Sequence, residues 1–120
     1  MIKIKRIYDK PDEKDSYRIL VDRLWPRGLS RDKAKMDLWL KEVAPGDKLR
    51  KWYSHDVEKF SDFSRKYNLE LKDKSGLLKQ IKELGKEHKT ITLLFAARDV
   101  SHNNAVVLRN YIKGTLKRPT

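Results

Sequence analysis

The sequence predicts an α/β fold, a single domain with a small, mainly parallel sheet of about four strands flanked by helices. Two continuous apolar runs, residues 19–21 and residues 91–97, are typical of strands that are buried on both faces. Elsewhere, apolar residues recur every three or four positions, as they do in amphipathic helices. Strands that alternate with helices favour parallel pairing through right-handed crossovers.

The chain has 120 residues, which is enough for one core and one cooperative domain. We expect residues 1–114 to form this domain and residues 115–120 to be a basic, disordered tail. No apolar run is long enough to cross a membrane, and Met1 leads directly into a strand pattern instead of a signal peptide. These features predict a cytoplasmic protein without a membrane partner.

Two further strands are predicted from weaker patterns. Ile2 and Ile4 alternate with lysines, which indicates a strand over residues 2–8. Residues 9–16 contain no apolar side chain except Pro11 and are predicted to form a surface loop. Residues 36–43 fit the periodicity of both a strand and a helix, and we favour a short strand over residues 38–41.

Polar residues and glycines predict where the helices begin and end. Helix starts are expected at Ser30, Asp47, Asp56, Ser75 and Ser101. Helix ends are expected at Gly85 and Gly114. In the longest pattern a stripe of apolar residues faces one side and is assigned to the core: Val57, Phe60, Phe63, Tyr67 and Leu71.

Charged side chains follow both continuous apolar strands. In a parallel sheet, ligands bind beyond the carboxyl ends of the strands, so the two segments are predicted to share one site. Proton transfer is assigned to Asp22 and His102. His102 is explained equally well as a plain polar residue in the first turn of the last helix. Ligand contact is assigned to Arg23, Trp25, Arg27, Arg98, Asp99 and Asn103. The amide-rich start of the last helix would favour an anion at the same place.

Several of these residues also have structural interpretations. Asp22 and Arg23 could pair with Arg98 and Asp99 to pin the strand ends, and this alternative has equal weight. Arg27 lies in a Pro-Arg-Gly loop, where ligand contact is the better explanation. The tryptophans are assigned mainly to core packing.

Five segments together resemble the YeaO-like family, a domain of unknown function. They are Arg-Ile-Tyr-Asp, Tyr-Arg-Ile-Leu-Val-Asp-Arg-Leu-Trp-Pro-Arg-Gly, Leu-Trp-Leu-Lys-Glu-Val-Ala-Pro, Lys-Trp-Tyr-Ser-His-Asp and Ala-Ala-Arg-Asp followed by His-Asn-Asn-Ala. The resemblance implies a bacterial or archaeal cytosolic protein with a Rossmann-like fold, and it supplies no substrate, cofactor or catalytic residue. Broader relatives carry cysteines after the last strand, where this chain has Ala96, Ala97 and His102.

The composition limits the possible functions without selecting one. The chain has no cysteine, which excludes disulfides and thiolate nucleophiles. No metal motif, P-loop or dinucleotide fingerprint occurs, so no metal site and no cofactor are predicted. The net charge of +12 attracts polyanions in general.

Three hypotheses remain. The first is an arginine-lined crevice for a phosphate or carboxylate ligand, with or without catalysis. The second is nonspecific nucleic-acid binding, supported by Lys113, Lys117 and Arg118. The third is a noncatalytic protein-interaction module. The oligomeric state is left open.

Overall fold

Four strands form one sheet in the computed structural model, which describes residues 1–117. The strands are β1 (Ile2–Arg6), β2 (Tyr17–Leu20), β3 (Leu38–Trp39) and β4 (Ile91–Phe95). Every pairing in this sheet is parallel, and the order is β1-β4-β2-β3. The prediction of an α/β fold with a mainly parallel sheet of about four strands is therefore confirmed.

Helices connect the strands. They are α1 (Arg31–Ala34), α2 (Asp47–Tyr53), α3 (Phe60–Lys72), α4 (Ser75–His88) and α5 (Asn104–Lys117). Short 3₁₀ turns span Glu13–Asp15, Lys41–Val43 and Val57–Lys59. None of these described helices is long and apolar enough to cross a membrane.

The two predicted apolar strands, β2 and β4, are neighbours at the centre of the sheet. Ile19 lies beside Leu93 and Leu20 lies beside Leu94, and all four residues are fully buried. Ile19 and Leu93 belong to the larger core cluster, whereas Leu20 and Leu94 belong to a smaller cluster on the other face. Because side chains alternate along a strand, apolar residues at consecutive positions supply both layers.

Most of the predicted stripe packs into the larger core from α3, but Val57 is not a core residue, since it lies in the preceding 3₁₀ turn and is 50% exposed. Phe63, Tyr67 and Leu71 are buried at intervals of four residues, and the Tyr67 hydroxyl donates a hydrogen bond of 2.6 Å to the carbonyl of Val43. Burial raises the pKa of Tyr67 far above its usual value. The hydroxyl therefore stays protonated and acts as a donor.

Helix starts differ from the prediction in three places, whereas α4 begins at Ser75 as predicted. Asp56 caps the 3₁₀ turn that precedes α3 and does not cap α3 itself. Asp47 is the first residue of α2, because Gly46 holds the capping position. At α5, the predicted start at Ser101 is wrong, since the helix begins at Asn104.

Several strand ends and two helix ends also differ. β1 ends at Arg6 instead of residue 8, and β3 ends at Trp39 instead of residue 41. β4 ends at Phe95 instead of residue 97, because the Ala96 N–H donates to the Asp22 carboxylate. The glycines at 85 and 114 do not end their helices, which continue to His88 and Lys117. Residues 118–120, the end of the predicted tail, lie outside the described residues.

Candidate functional site

The carboxyl ends of β2 and β4 border a cleft of about 790 Å³, a volume within the range of small-molecule sites. Seven of the predicted site residues line it: Asp22, Arg23, Trp25, Arg27, Arg98, Asp99 and Asn103. The eighth, His102, does not. Adjacent parallel strands carry their following loops to the same edge of the sheet, which explains why segments about 75 residues apart meet here.

Arg27 and Arg98 come to the cleft from different loops. Arg27 lies between β2 and α1, and Arg98 lies between β4 and α5. Both side chains are exposed, and within residues 1–117 no carboxylate lies at ion-pair distance from either guanidinium group. Gly28 has a φ of 75°, which L residues rarely adopt, and this lets the chain turn directly after Arg27.

Arg23 lines the same cleft, but its guanidinium group is engaged by the protein. Its Nε donates to the carbonyl of Pro45 at 3.2 Å and its Nη2 donates to the carbonyl of Ala44 at 3.3 Å. Asp47 lies 4.0 Å from Nε. Arg23 therefore fixes the segment that leads into α2.

Asp22 joins the two central strand ends. Its Oδ2 accepts a hydrogen bond of 2.9 Å from the backbone N–H of Ala96, and its Oδ1 accepts one of 3.1 Å from the side-chain amide of Asn104. Burial raises the pKa of Asp22, while the two N–H donors and the charge of His55 oppose that rise. The ion pair with Arg98 that the sequence allowed is not formed between these described residues.

Asp99 organises the loop that precedes α5. Its carboxylate accepts hydrogen bonds from the backbone N–H groups of Ser101 (2.9 Å) and His102 (3.0 Å), and its Oδ2 lies 2.9 Å from Nδ1 of His102. The hydrogen bond from the Ser101 backbone, together with those from His102, lowers the pKa of Asp99 despite the opposing effect of desolvation. Asp99 is therefore a carboxylate committed to its own loop.

The imidazole of His102 is held by contacts beside the cleft and does not line it. Its ring lies edge-on to Phe60, with 5.0 Å between ring centroids, and its Nδ1 faces Asp99. The His102 carbonyl accepts a hydrogen bond of 2.8 Å from the hydroxyl of Tyr53. These contacts place the side chain against α3.

Asn103 is buried and caps α5. Its side-chain oxygen accepts a hydrogen bond of 3.1 Å from the Val106 N–H, and its side-chain nitrogen donates one of 2.9 Å to the Asp99 carbonyl. Both halves of the amide therefore have protein partners.

Trp25 is held by the protein on two sides. Its indole N–H donates a hydrogen bond of 2.7 Å to the Leu29 carbonyl, and its ring lies edge-on to Trp39 at 5.4 Å. Both rings pack against the smaller core cluster. The expectation that the tryptophans are mainly core residues holds for this pair.

Sequence reasoning missed several residues that line the cleft. They are Tyr8, Leu24, Arg50, Lys51, Ser54 and His55. Ser54 and His55 have φ values of 43° and 59°, so two successive residues in the left-handed region end α2 and turn the chain. The available signal is the Lys-Trp-Tyr-Ser-His-Asp segment, which contains Lys51, Ser54 and His55.

Comparison with known proteins identifies the family. The uncharacterised protein YeaO of Escherichia coli K12 is 37% identical over 112 residues, which cover 93% of this chain and 96% of YeaO. An uncharacterised protein of Mycobacterium tuberculosis H37Rv is 36% identical over 113 residues, 94% of each chain. A family model described as the inactive DUF488-N3 subclade matches residues 1–120. The chain belongs to this YeaO-like family.

The resemblance inferred from five short segments is thereby confirmed over almost the whole YeaO-like chain. No solved structure matches it. The Asp-Arg-Leu-Trp-Pro-Arg-Gly segment of this YeaO-like protein forms the loop that carries Arg27 into the cleft.

Proposed function

We propose that this YeaO-like protein binds a small molecule that carries a phosphate or carboxylate group, and that it does so without catalysis. Arg27 and Arg98 are assigned as the anion contacts. The observation that carries the proposal is that Arg27 and Arg98 line one cleft while neither guanidinium group has a carboxylate partner among the described residues. A guanidinium group binds phosphate or carboxylate through two parallel hydrogen bonds.

Other arginines provide an internal comparison. Arg6 donates to the carbonyls of Ala96 and Ala97, and Arg18 donates to Asp15 and to two backbone carbonyls. Each of these two structural arginines thus donates two or more hydrogen bonds from its guanidinium group to other parts of the protein. Arg27 and Arg98 have no such partners within residues 1–115, so their donors are open to a ligand there.

The charge balance of the cleft also favours an anion. Its two carboxylates, Asp22 and Asp99, each accept two or more hydrogen bonds from N–H donors, which occupies much of their acceptor capacity. Lys51 adds an exposed cation to the rim. An incoming phosphate or carboxylate would meet more cationic than anionic groups.

Two features support binding without turnover. The YeaO-like family is described as an inactive subclade, and this chain has no cysteine to act as a nucleophile. The residues assigned to proton transfer are also committed elsewhere, because Asp22 bridges two strand ends and His102 packs against Phe60. Both residues assigned to proton transfer therefore have structural contacts, which favours binding over turnover.

Calorimetric titration with inorganic phosphate, and separately with acetate, tests the proposal at constant ionic strength. We expect saturable binding of at least one anion, weakened about tenfold or more by Arg27→Ala and by Arg98→Ala, because each variant loses charge-assisted hydrogen bonds. Arg65→Ala is the matched control, since Arg65 is exposed on α3 and pairs with Asp62 outside the cleft. Equal weakening by all three variants, or no saturable binding of either anion, would overturn the proposal.

A further inference from the structure

We infer that the ligand joins its anionic group to a flat apolar body, so that the bound class is an aromatic phosphate or an aromatic carboxylate. Leu24 and the ring of Tyr8 are assigned as contacts of that body. This inference rests on the proposed function and adds the chemical class of the ligand. Its basis is the nature and position of the exposed apolar side chains in the cleft.

Leu24 is the first of these side chains. It is 58% exposed, although it lies between Arg23 and Trp25, whose side chains are both anchored by hydrogen bonds to backbone carbonyls. A single exposed leucine is ordinary on a protein surface. This one lines the cleft that also holds Arg27 and Arg98, so it can contact a ligand bound there.

Tyr8 supplies an aromatic wall next to the anion contact. Tyr8 is 41% exposed and lines the cleft, and its hydroxyl donates a hydrogen bond of 2.8 Å to the carbonyl of Arg27. Cζ of Arg6 lies 5.1 Å from the ring centroid. The ring is therefore held in place beside the backbone of Arg27, in the lining of the cleft that also holds its side chain.

The lining of the cleft is largely apolar. Tyr53 and Phe63 contribute to it from α2 and α3, with their rings stacked at 4.2 Å between centroids. Both residues are nearly fully buried, and the Tyr53 hydroxyl donates to the His102 carbonyl. A largely apolar lining that also carries cations favours an amphiphilic anion over a uniformly polar one.

Titrations of phenyl phosphate, glycerol 3-phosphate and inorganic phosphate test the inference at the same ionic strength. We expect phenyl phosphate to bind about tenfold more tightly than the other two, which corresponds to about 1.4 kcal/mol. Burial of roughly 60 Å² of apolar ligand surface gives an advantage of this size. Leu24→Ser should remove most of this advantage and leave the affinity for inorganic phosphate unchanged.

Val100→Ser is the matched control, because Val100 is 56% exposed and does not line the cleft. It should keep the full preference for phenyl phosphate. If the wild type binds all three probes equally, the inference fails while the proposed function stands. If Leu24→Ser keeps the preference, the assignment of Leu24 is wrong. If none of the probes binds, and acetate does not bind either, the proposed function itself fails.

Discussion

The hydroxyl of Tyr8 donates a hydrogen bond of 2.8 Å to the backbone carbonyl of Arg27. The same tyrosine ring lies under the guanidinium group of Arg6, which donates to the carbonyls of Ala96 and Ala97. Ala97 directly precedes Arg98. Tyr8 and Arg6 thus connect the two loops that carry the proposed anion contacts, although they come from a third segment at the end of β1.

Tyr8→Phe should weaken phosphate binding while the fold is kept. The variant loses one hydrogen bond to the Arg27 loop, so we expect an affinity loss of about threefold to tenfold, because a typical hydrogen bond contributes about 0.5 to 1.5 kcal/mol. The Tm should change by less than about 4 °C in a domain of this size. Calorimetric titration and differential scanning calorimetry measure the two effects.

Tyr111→Phe serves as the control for this variant, because Tyr111 lies on α5 and does not line the cleft. Its phosphate affinity should equal that of the wild type. An unchanged affinity in Tyr8→Phe would show that the hydrogen bond to Arg27 does not position the loop.

The central part of the fold could be predicted because it depends on local patterns. Residues 19–21 and 91–97 lack the polar alternation of a half-exposed strand, and this alone places them at the centre of the sheet. Once both strands are central and parallel, the general geometry of α/β proteins brings Arg27 and Arg98 to the same edge. Seven predicted residues therefore line the cleft.

The remaining contacts could not be predicted because they depend on tertiary structure. Ser101 and Asn103 are both residue types that commonly cap helices. The Asp99 carboxylate accepts hydrogen bonds from the backbone N–H groups of Ser101 and His102 and keeps that segment non-helical. The helix therefore begins after Asn103 and not after Ser101. Tyr8 reaches the cleft only through the pairing of β1 with β4. The sequence contains no local signal for that approach.

Asn103→Ala should destabilise the protein. Asn103 caps α5 and also donates to Asp99, so we expect the free energy of unfolding to fall by about 1 to 2 kcal/mol. Ser101→Ala is a well-matched control, since Ser101 has the sequence features of a cap without the position of one, and it should lie within about 0.5 kcal/mol of the wild type. Urea denaturation measures both values, and equal losses would contradict the assignment of the cap.

Asp15→Asn should destabilise the protein more strongly. Asp15 and Arg18 are 2% and 4% exposed and form an ion pair, and Lys5 lies 3.1 Å from the same carboxylate. Removal of the negative charge leaves the buried Arg18 without its partner, which typically costs about 3 to 5 kcal/mol. Asp62→Asn, at an exposed ion pair on α3, should cost less than about 1 kcal/mol in the same urea titration.

The effect of Asp15→Asn should also depend on pH. Burial alone would raise the pKa of Asp15, but hydrogen bonds from the Asp12 backbone, Lys5 and Arg18 outweigh it and lower the pKa below its usual value of 3.8. Because its pKa is lowered in the folded protein, the ionised Asp15 carboxylate increases the free energy of unfolding. This increase is fully present above the usual pKa and is lost as the pH falls through the lowered pKa. The difference between wild type and variant should therefore be constant above about pH 5 and shrink below about pH 4. A constant difference down to pH 2 would show that the charge does not stabilise the fold.

Asp22→Asn should change the pH dependence of stability in the opposite direction. Burial raises the pKa of Asp22, so ionisation of this group is less favourable in the folded protein than in the unfolded chain. The contribution of Asp22 to the free energy of unfolding is fully present below the usual pKa of 3.8, where the carboxyl is protonated. This contribution is lost as the pH rises through the raised pKa. The wild type should therefore lose stability relative to Asp22→Asn as the pH increases from about 4.

The prediction for Asp22 is tested by how the Tm changes with pH, and not by the Tm at any single pH. The new amide nitrogen would face the Asn104 side-chain amide, which already donates to Val21 and Asp22, and that mismatch lowers stability equally at every pH. Thermal unfolding of the wild type, Asp22→Asn and Asp62→Asn from pH 4 to pH 8 separates the two effects, because Asp62 is an exposed carboxylate on α3. Parallel curves for the wild type and Asp22→Asn would mean that Asp22 ionises as easily in the fold as in the unfolded chain.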